Sequence, residues 1–235
     1  MPLRSLSLCA LSALLAIAGC SADVAPIEVA AGCPLQPVRG PARFADDPEQ
    51  ALIDDFEHES PSLPRLGGRD GFWVLGEDGT GGHFEAGISD ACAGRGRRAG
   101  HFAGSGFSSW GANWTAVLRD QPGGMAVPYD VARYGGISFW AAVSPDVPAP
   151  FSLPVGLTTM DVAWNAGICT RCMDYYRTTV SLDHAWKRFD VRFSDLAQTG
   201  TGDPLVPLRR DQVVGLIFWP DHAFDFWIDD ARFER

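Results

Sequence analysis

A chain of 235 residues, 46% hydrophobic and 20% charged, has the composition of an ordinary globular protein and is long enough for one large domain or two small ones. Its formal net charge of -10 argues against nucleic acid as a partner, since phosphate binding needs basic stripes. The one dense basic run, GRGRR at 94–98, is read as a solvated loop.

The first element in chain order is an export signal over 1–20. Arg4 supplies a short positive start, and the apolar run LSLCALSALLAIAG is too short and too weakly flanked for a transmembrane helix. The run ends in Ile17-Ala18-Gly19-Cys20, which resembles the bacterial lipobox, in which the cysteine is acylated and becomes the first mature residue. The alternative is an ordinary signal peptide cut nearby. The resemblance implies a lipoprotein whose only membrane contact is the anchor at Cys20, where each buried methylene contributes about 0.8 kcal/mol. Ser21 follows rather than aspartate, so nothing argues for retention at the inner membrane, and the expected location is the outer membrane or cell surface. Residues 21–50 are rich in Ala, Pro and Val without a sustained period, and are expected to form an extended tether.

Residues 51–235 contain no second compositional break and are expected to fold as one domain. Short apolar or alternating runs follow one another between Gly, Pro and Asp clusters: GFWVLG, RAGHFAGSGF, NWTAVLR, GGISFWAAV, FSLPVGLTT, DYYRTTVSL, WKRFDVRF, VVGLIFWP and FDFWIDDARF. In WKRFDVRF the alternation puts Phe189, Val191 and Phe193 on one face and Arg188, Asp190 and Arg192 on the other. About ten strands at intervals of roughly 10 to 20 residues, with no βαβ rhythm, predict an all-β antiparallel β-sandwich.

Two of the runs carry acidic pairs: LIDDFEHE at 52–59 and FDFWIDDARFE at 224–234. A strand period puts Trp227, Asp229 and Ala231 on one face and Phe226, Ile228 and Asp230 on the other, and likewise groups Asp55 with Glu57 and Asp54 with Phe56. A buried, unpaired carboxylate costs several kcal/mol. If the first and last strands are neighbours, carboxylates from both can converge on Ca²⁺; alternatively the acids guard sheet edges.

DDFE, GSGFSSWGANW, CTRCMDYYRTTVSLDHAWKRFDVRFSDLAQTG and FDFWIDDARFE, taken in order, resemble the jelly-roll carbohydrate-binding modules of the galactose-binding-like superfamily, family 11-like and related domains above all. The most specific element is W-x-x-F-x-V-x-F-S-D-L followed by F-D-F-W-I-D-D-x-x-F. The resemblance covers residues 52–235 and implies a non-catalytic polysaccharide-binding domain. It also implies a structural calcium, for which Glu57 and Asp229 are first choices and Asp55 and Asp230 second. The CTRC insertion and the lipid tether depart from the pattern.

With Cys9 in the signal and Cys20 at the lipid site, Cys33, Cys92, Cys169 and Cys172 remain, an even number for an oxidising compartment. Three connectivities are open; Cys169 with Cys172 and Cys33 with Cys92 is the favoured one. A redox role for CTRC needs a helix after it, and MDYYRTTVSL reads as a strand. Zinc needs a second ligand pair, which one CxxC does not supply.

A sugar is bound by stacking its apolar face on a flat ring while polar neighbours take its hydroxyls. Trp110, Trp114, Trp164, Tyr175, Tyr176 and Trp219 lie near Gly, Asn, Asp or Pro, where strands end and rings are exposed, and are the candidate binding residues. Asp161 and Arg177 are their polar companions, with Asn165, Asp174 and Asp221 also near. Trp186 and Trp227 sit mid-strand and are assigned to the core. No catalytic signature of the G-x-S-x-G, H-E-x-x-H or P-loop kind is present, and the five histidines are scattered singly. The expected function is therefore a monomeric glycan-binding lipoprotein of the cell envelope that is not an enzyme. The alternatives are a structural or adhesion sandwich without a small ligand, and a glycoside hydrolase.

Overall fold

The computed structural model describes residues 33–34, 48–90, 92, 96–221 and 223–235. The expectations for 1–20, with lipid attachment at Cys20, and for most of the tether over 21–50 lie outside these residues.

Strands β1 (Leu52–Asp54), β2 (Phe72–Glu77), β3 (His83–Ser89), β4 (Ala99–Ser105), β5 (Ala112–Val117) and β6 (Gly136–Val143) are followed by β7 (Phe151–Thr159), β8 (Tyr176–Leu182), β9 (Lys187–Arg192), β10 (Val213–Phe218) and β11 (Phe224–Glu234). They form two antiparallel sheets: a six-stranded one in the order β3-β4-β11-β6-β9, with β1 also pairing with β11, and a five-stranded one in the order β2-β5-β10-β7-β8. The chain is an all-β sandwich, and its first and last strands are neighbours.

Alternation decides which residues fill the space between the sheets. In β5, Trp114 and Ala116 turn inward while Asn113, Thr115 and Val117 turn outward. Inward residues of both sheets, including Phe102, Phe139, Phe218, Phe226 and Phe233, are fully buried in one cluster. Each such side chain contributes about 1.5–3 kcal/mol. Sheet spacing is tight at Gly100, where an added methyl would come within 2.6 Å of Trp114. The face of WKRFDVRF expected to be apolar does face inward, with Val191 and Phe193 buried and Phe189 stacked on Phe139 at 5.6 Å.

The two acidic pairs have different causes. In β11, Phe226 and Ile228 are buried, and so are Ala231 and Phe233, which strict alternation does not allow. The phase is reset by a bulge: pairing with β6 shifts register between Asp229 and Arg232, and Asp230 sits at φ +50°, in the left-handed region. The strict two-face assignment of Asp229 and Asp230 thus fails at the second aspartate. In the first strand the buried acid is Asp54. Its Oδ1 accepts hydrogen bonds from Phe56 N at 2.8 Å and His58 Nε2 at 2.9 Å, and its Oδ2 accepts from Trp73 Nε1 at 2.7 Å. Three protein donors offset the cost of burying it.

A second, smaller apolar cluster lies on the outer side of the six-stranded sheet, where Cys33, Cys92, Ala99, Ala142, Trp186 and Trp227 pack together with Trp140 against them. Trp186 and Trp227 are buried core residues, as assigned, and they belong to this second cluster rather than to the one between the sheets. Cys33 is joined to Cys92, which fastens the amino-terminal arm to this face, and Cys169 is joined to Cys172. Along its described part the GRGRR run is exposed at Gly96 and Arg97, as expected, and its backbone is tied down: Arg97 N and Arg98 N donate to Glu57 Oε1 at 2.6 and 3.0 Å, and Arg98 pairs with Glu59 at 2.7 Å.

Candidate functional site

The outer face of the five-stranded sheet carries a groove of about 300 Å³. Its floor is made by outward residues of the strands: Val74 of β2, Asn113, Thr115 and Val117 of β5, Val214 of β10 and Thr158 of β7. The loop between β7 and β8 forms a wall through Ala163, Trp164, Asn165, Met173 and Tyr175. The register of β2 and β5 places Glu77 and Trp110 at one end and Gln121 beyond the other. The length of β5 between them is roughly 17 Å at 3.3 Å per residue.

The groove holds three of the candidate rings in distinct ways. Trp164 stands on a single 3-10 turn at the rim and is 69% exposed. Next to it, Asn165 Nδ2 donates to Gln121 Oε1 at 3.0 Å and Gly124 O at 2.9 Å, and Asn165 O accepts from Ala126 N at 3.2 Å. One asparagine thus knits the two loops behind the tryptophan. Tyr175 is almost buried, and that burial pushes its phenol up to about 12. Among the described residues its hydroxyl has no hydrogen-bond partner. Trp110 meets Trp219 edge to face at 5.6 Å, and its carbonyl accepts from Trp219 Nε1 at 2.8 Å.

Two aspartates hold the loops that bear these rings. Asp78 Oδ2 accepts from Ser109 N at 2.9 Å and Gly111 N at 3.0 Å, on either side of Trp110, and its Oδ1 accepts from Thr80. Desolvation works to raise the Asp78 carboxyl, but these hydrogen bonds overcome it and hold the group at about 2. Asp174, next to Tyr175, accepts from Thr199 N and Oγ1 at 2.9 and 2.6 Å, Gly200 N at 2.9 Å and Gly202 N at 3.1 Å. Burial again works upward and the hydrogen bonds again win, at about 2. The Cys169–Cys172 ring closes the tip of the same wall, and Thr170 Oγ1 ties it to Asp203 at 2.8 Å.

The other expected binding residues lie elsewhere. Trp219 and Arg177 stand beside the groove and engage each other, with the guanidinium 4.9 Å over the indole, so that face of the ring is taken. Trp114 is 3% exposed, because it occupies an inward position of β5, tilted at 37° against Trp73 with ring centroids 4.3 Å apart. Tyr176 is also inward, on β8, with its hydroxyl donating to Val206 O at 2.8 Å; burial first, then the Asp161 charge, pushes it up to about 12. Asp161 is buried and pairs with Arg209 at 3.5 Å. Sequence reasoning missed Asn113, Thr115, Gln121 and Thr158, although the alternation that turns Trp114 inward turns Asn113 and Thr115 outward.

Each of the four expected metal ligands accepts a hydrogen bond within the protein. Glu57 is taken by the backbone of Arg97 and Arg98, and Asp55 Oδ1 accepts from Glu57 N at 3.3 Å. Asp229 Oδ1 accepts from Asp230 N at 2.7 Å, and Asp230 Oδ1 accepts from Arg232 Nε at 2.6 Å. Among the described residues no three His, Cys, Asp or Glu side chains form a group able to hold a metal.

No family model matches the sequence, and no curated protein matches it. Solved structures do. The family 11 carbohydrate-binding module from Clostridium thermocellum, in complex with a β-1,3-1,4-mixed-linked tetrasaccharide, has a TM-score of 0.53 at 16% identity, covering 78% of this chain and 94% of that one. The family 11 module of the cellulosomal cellulase Lic26A-Cel5E of Clostridium thermocellum gives 0.52 at 16%, covering 78% and 92%. A family 30 carbohydrate-binding module gives 0.51 at 15%, covering 79% and 88%. The chain shares the jelly-roll sandwich fold of these modules.

Proposed function

We propose that the groove binds a neutral polysaccharide chain without cleaving it, in a domain that is exported and lipid-anchored through Cys20 to the cell envelope. The observation that carries the reading is the groove itself: Trp164 exposed at the rim, Trp110 and Tyr175 in the lining, and amide side chains of Asn113, Gln121 and Asn165 among them. Rings offer faces for sugar C–H groups, and amides can both donate to and accept from hydroxyls. The likeness of fold to family 11 and family 30 carbohydrate-binding modules supports the same reading. Glu77 is the one carboxylate of the described lining, whereas glycoside hydrolysis uses a pair. That lining contains no Arg, Lys or His, and the chain carries -10 overall, so a polyuronate is disfavoured. Export is supported by the two disulfides, which belong to an oxidising compartment.

A stacked ring supplies about 0.5–1.5 kcal/mol, so two or three rings supply about 1–4.5 kcal/mol, which with hydrogen bonds to the hydroxyls added gives binding of about millimolar strength. The test is affinity electrophoresis of the full chain through gels containing β-glucan, xylan, mannan or a polyuronate. Retardation by at least one neutral polymer is expected, and Trp164→Ala should weaken it at least tenfold, on the order of 1.4 kcal/mol, with the melting temperature unchanged. Passage through every gel unretarded would refute the proposal and favour the structural or adhesion reading.

A further inference from the structure

The six-stranded sheet carries a second ring on its outer face. Gly87, His101 and Trp227 are cross-strand partners in a row over β3, β4 and β11. The His101 imidazole lies flat on the Trp227 indole, with centroids 4.0 Å apart and planes at 15°, and its Nε2–H donates to Asp225 Oδ1 at 2.7 Å. The ring is therefore fixed in position and tilt. On its other side stands Gly87, where an added Cβ would meet none of the described residues within 4 Å. Among the described residues no side chain covers the imidazole face turned away from Trp227.

Around that opening is a shallow cavity of about 260 Å³ lined by the stretch from Glu85 to Ser89 and by His101. Strand geometry puts Glu85 and Ser89 on the same face as Gly87, one on each side. The two lie on the order of 13 Å apart along the strand. A flat ring beside a backbone floor, with the Glu85 carboxylate at its border, offers what a pyranose needs: a surface for its C–H face and a partner for its hydroxyls.

We propose that this is a second sugar-binding site, taking one or two neutral pyranose rings on the sheet opposite the groove. It rests on its own residues and does not require the groove to bind anything. β3 is an edge strand, so an extended peptide could pair with its backbone. The opening at Gly87 lies on the face of the sheet, over the imidazole, and not along that edge, which favours the sugar.

The experiment uses the full chain carrying Trp164→Ala, to silence the groove. It is titrated at fixed pH with β-1,4-linked oligomers of glucose, xylose, mannose and N-acetylglucosamine while the His101 imidazole C–H resonances are followed. At least one oligomer should move them in a saturable way. Gly87→Val fills open space with a residue that strands favour; it should abolish the shift while the melting temperature stays equal or rises. Three results would overturn the proposal: no movement of the imidazole resonances by any oligomer up to tens of millimolar, an unchanged titration in Gly87→Val, or shifts confined to β3 amides.

Discussion

Replacing Asp54 by alanine tests the reading that this buried carboxylate is satisfied by protein donors. The side chain is 0% exposed and accepts from Phe56 N, His58 Nε2 and Trp73 Nε1. His58 is partly exposed and can turn to water, but Phe56 and Trp73 are buried and lose their partner. Each stranded donor costs about 1–3 kcal/mol, so Asp54→Ala should destabilise by about 4 kcal/mol. For a domain of this size that corresponds to a fall in Tm of roughly 8–16 °C. Neighbouring Asp55, with one long bond to Glu57 N, should cost less than about 1 kcal/mol when replaced in the same way. Urea denaturation followed by tryptophan emission measures both, with Trp73 reporting locally. A loss below about 1 kcal/mol for Asp54→Ala, or an equal loss for Asp55→Ala, would refute the reasoning.

The His58 imidazole is held above its ordinary value of 6.5, first by its hydrogen bond to Asp54, with burial opposing and the Asp54 charge adding. The raised folded value means that its stabilisation is fully present below about 6.5 and is lost as pH rises through the folded pKa; His58→Gln should flatten thermal stability against pH in that window. The Asp174 carboxyl, held at about 2 against an ordinary 3.8, acts in the opposite sense: its contribution is present above 3.8 and lost as pH falls towards 2, and Asp174→Asn should remove that acid sensitivity in melting scans. Trp114→Ala should cost about 3–5 kcal/mol in chemical denaturation, whereas Trp164→Ala costs almost none. If protein donors alone satisfy the acids of the terminal strands, chelation with EDTA should leave Tm within about 1 °C, whereas a clear rise on adding calcium would support the cation reading.

Alternation made most of the fold legible, and its failures are local. β3 escaped notice although HFEAGIS alternates, with Phe84, Ala86 and Ile88 packed on the core, because glycine and glutamate are poor strand formers and mask the pattern. In β11 the pattern was visible, but the bulge at Asp230 was not, since nothing in IDDARF announces that one residue is left out of phase. Gly, Asn and Asp neighbours mark strand ends, and that criterion picks out Trp110 and Trp164, which line the groove. For Trp114 and Tyr176 the strand period was the stronger signal, and it turned both inward. The acidic pair at 54–55 is legible as a burial problem, and Asp54 is the buried member. The solution, three donors from residues 56, 58 and 73, depends on tertiary neighbours that spacing does not reveal.

The bond between Cys33 and Cys92 also has a mechanical meaning. A pull on the amino-terminal arm enters the domain at Cys33 and crosses directly to Cys92, so the loop of chain between these residues, 59 apart in sequence, carries no tension. That loop contains β1, β2 and β3, which include Val74 and Leu75 of the groove and Gly87 of the opposite face. Without the crosslink, tension would peel β1 from β11 first, because it is a short strand held by few pairs. With it, the load passes to the turn before β4, an inner strand of its sheet. A chain held by its arm against moving fluid or a dragged polymer would thus keep both faces folded until a central strand gave way.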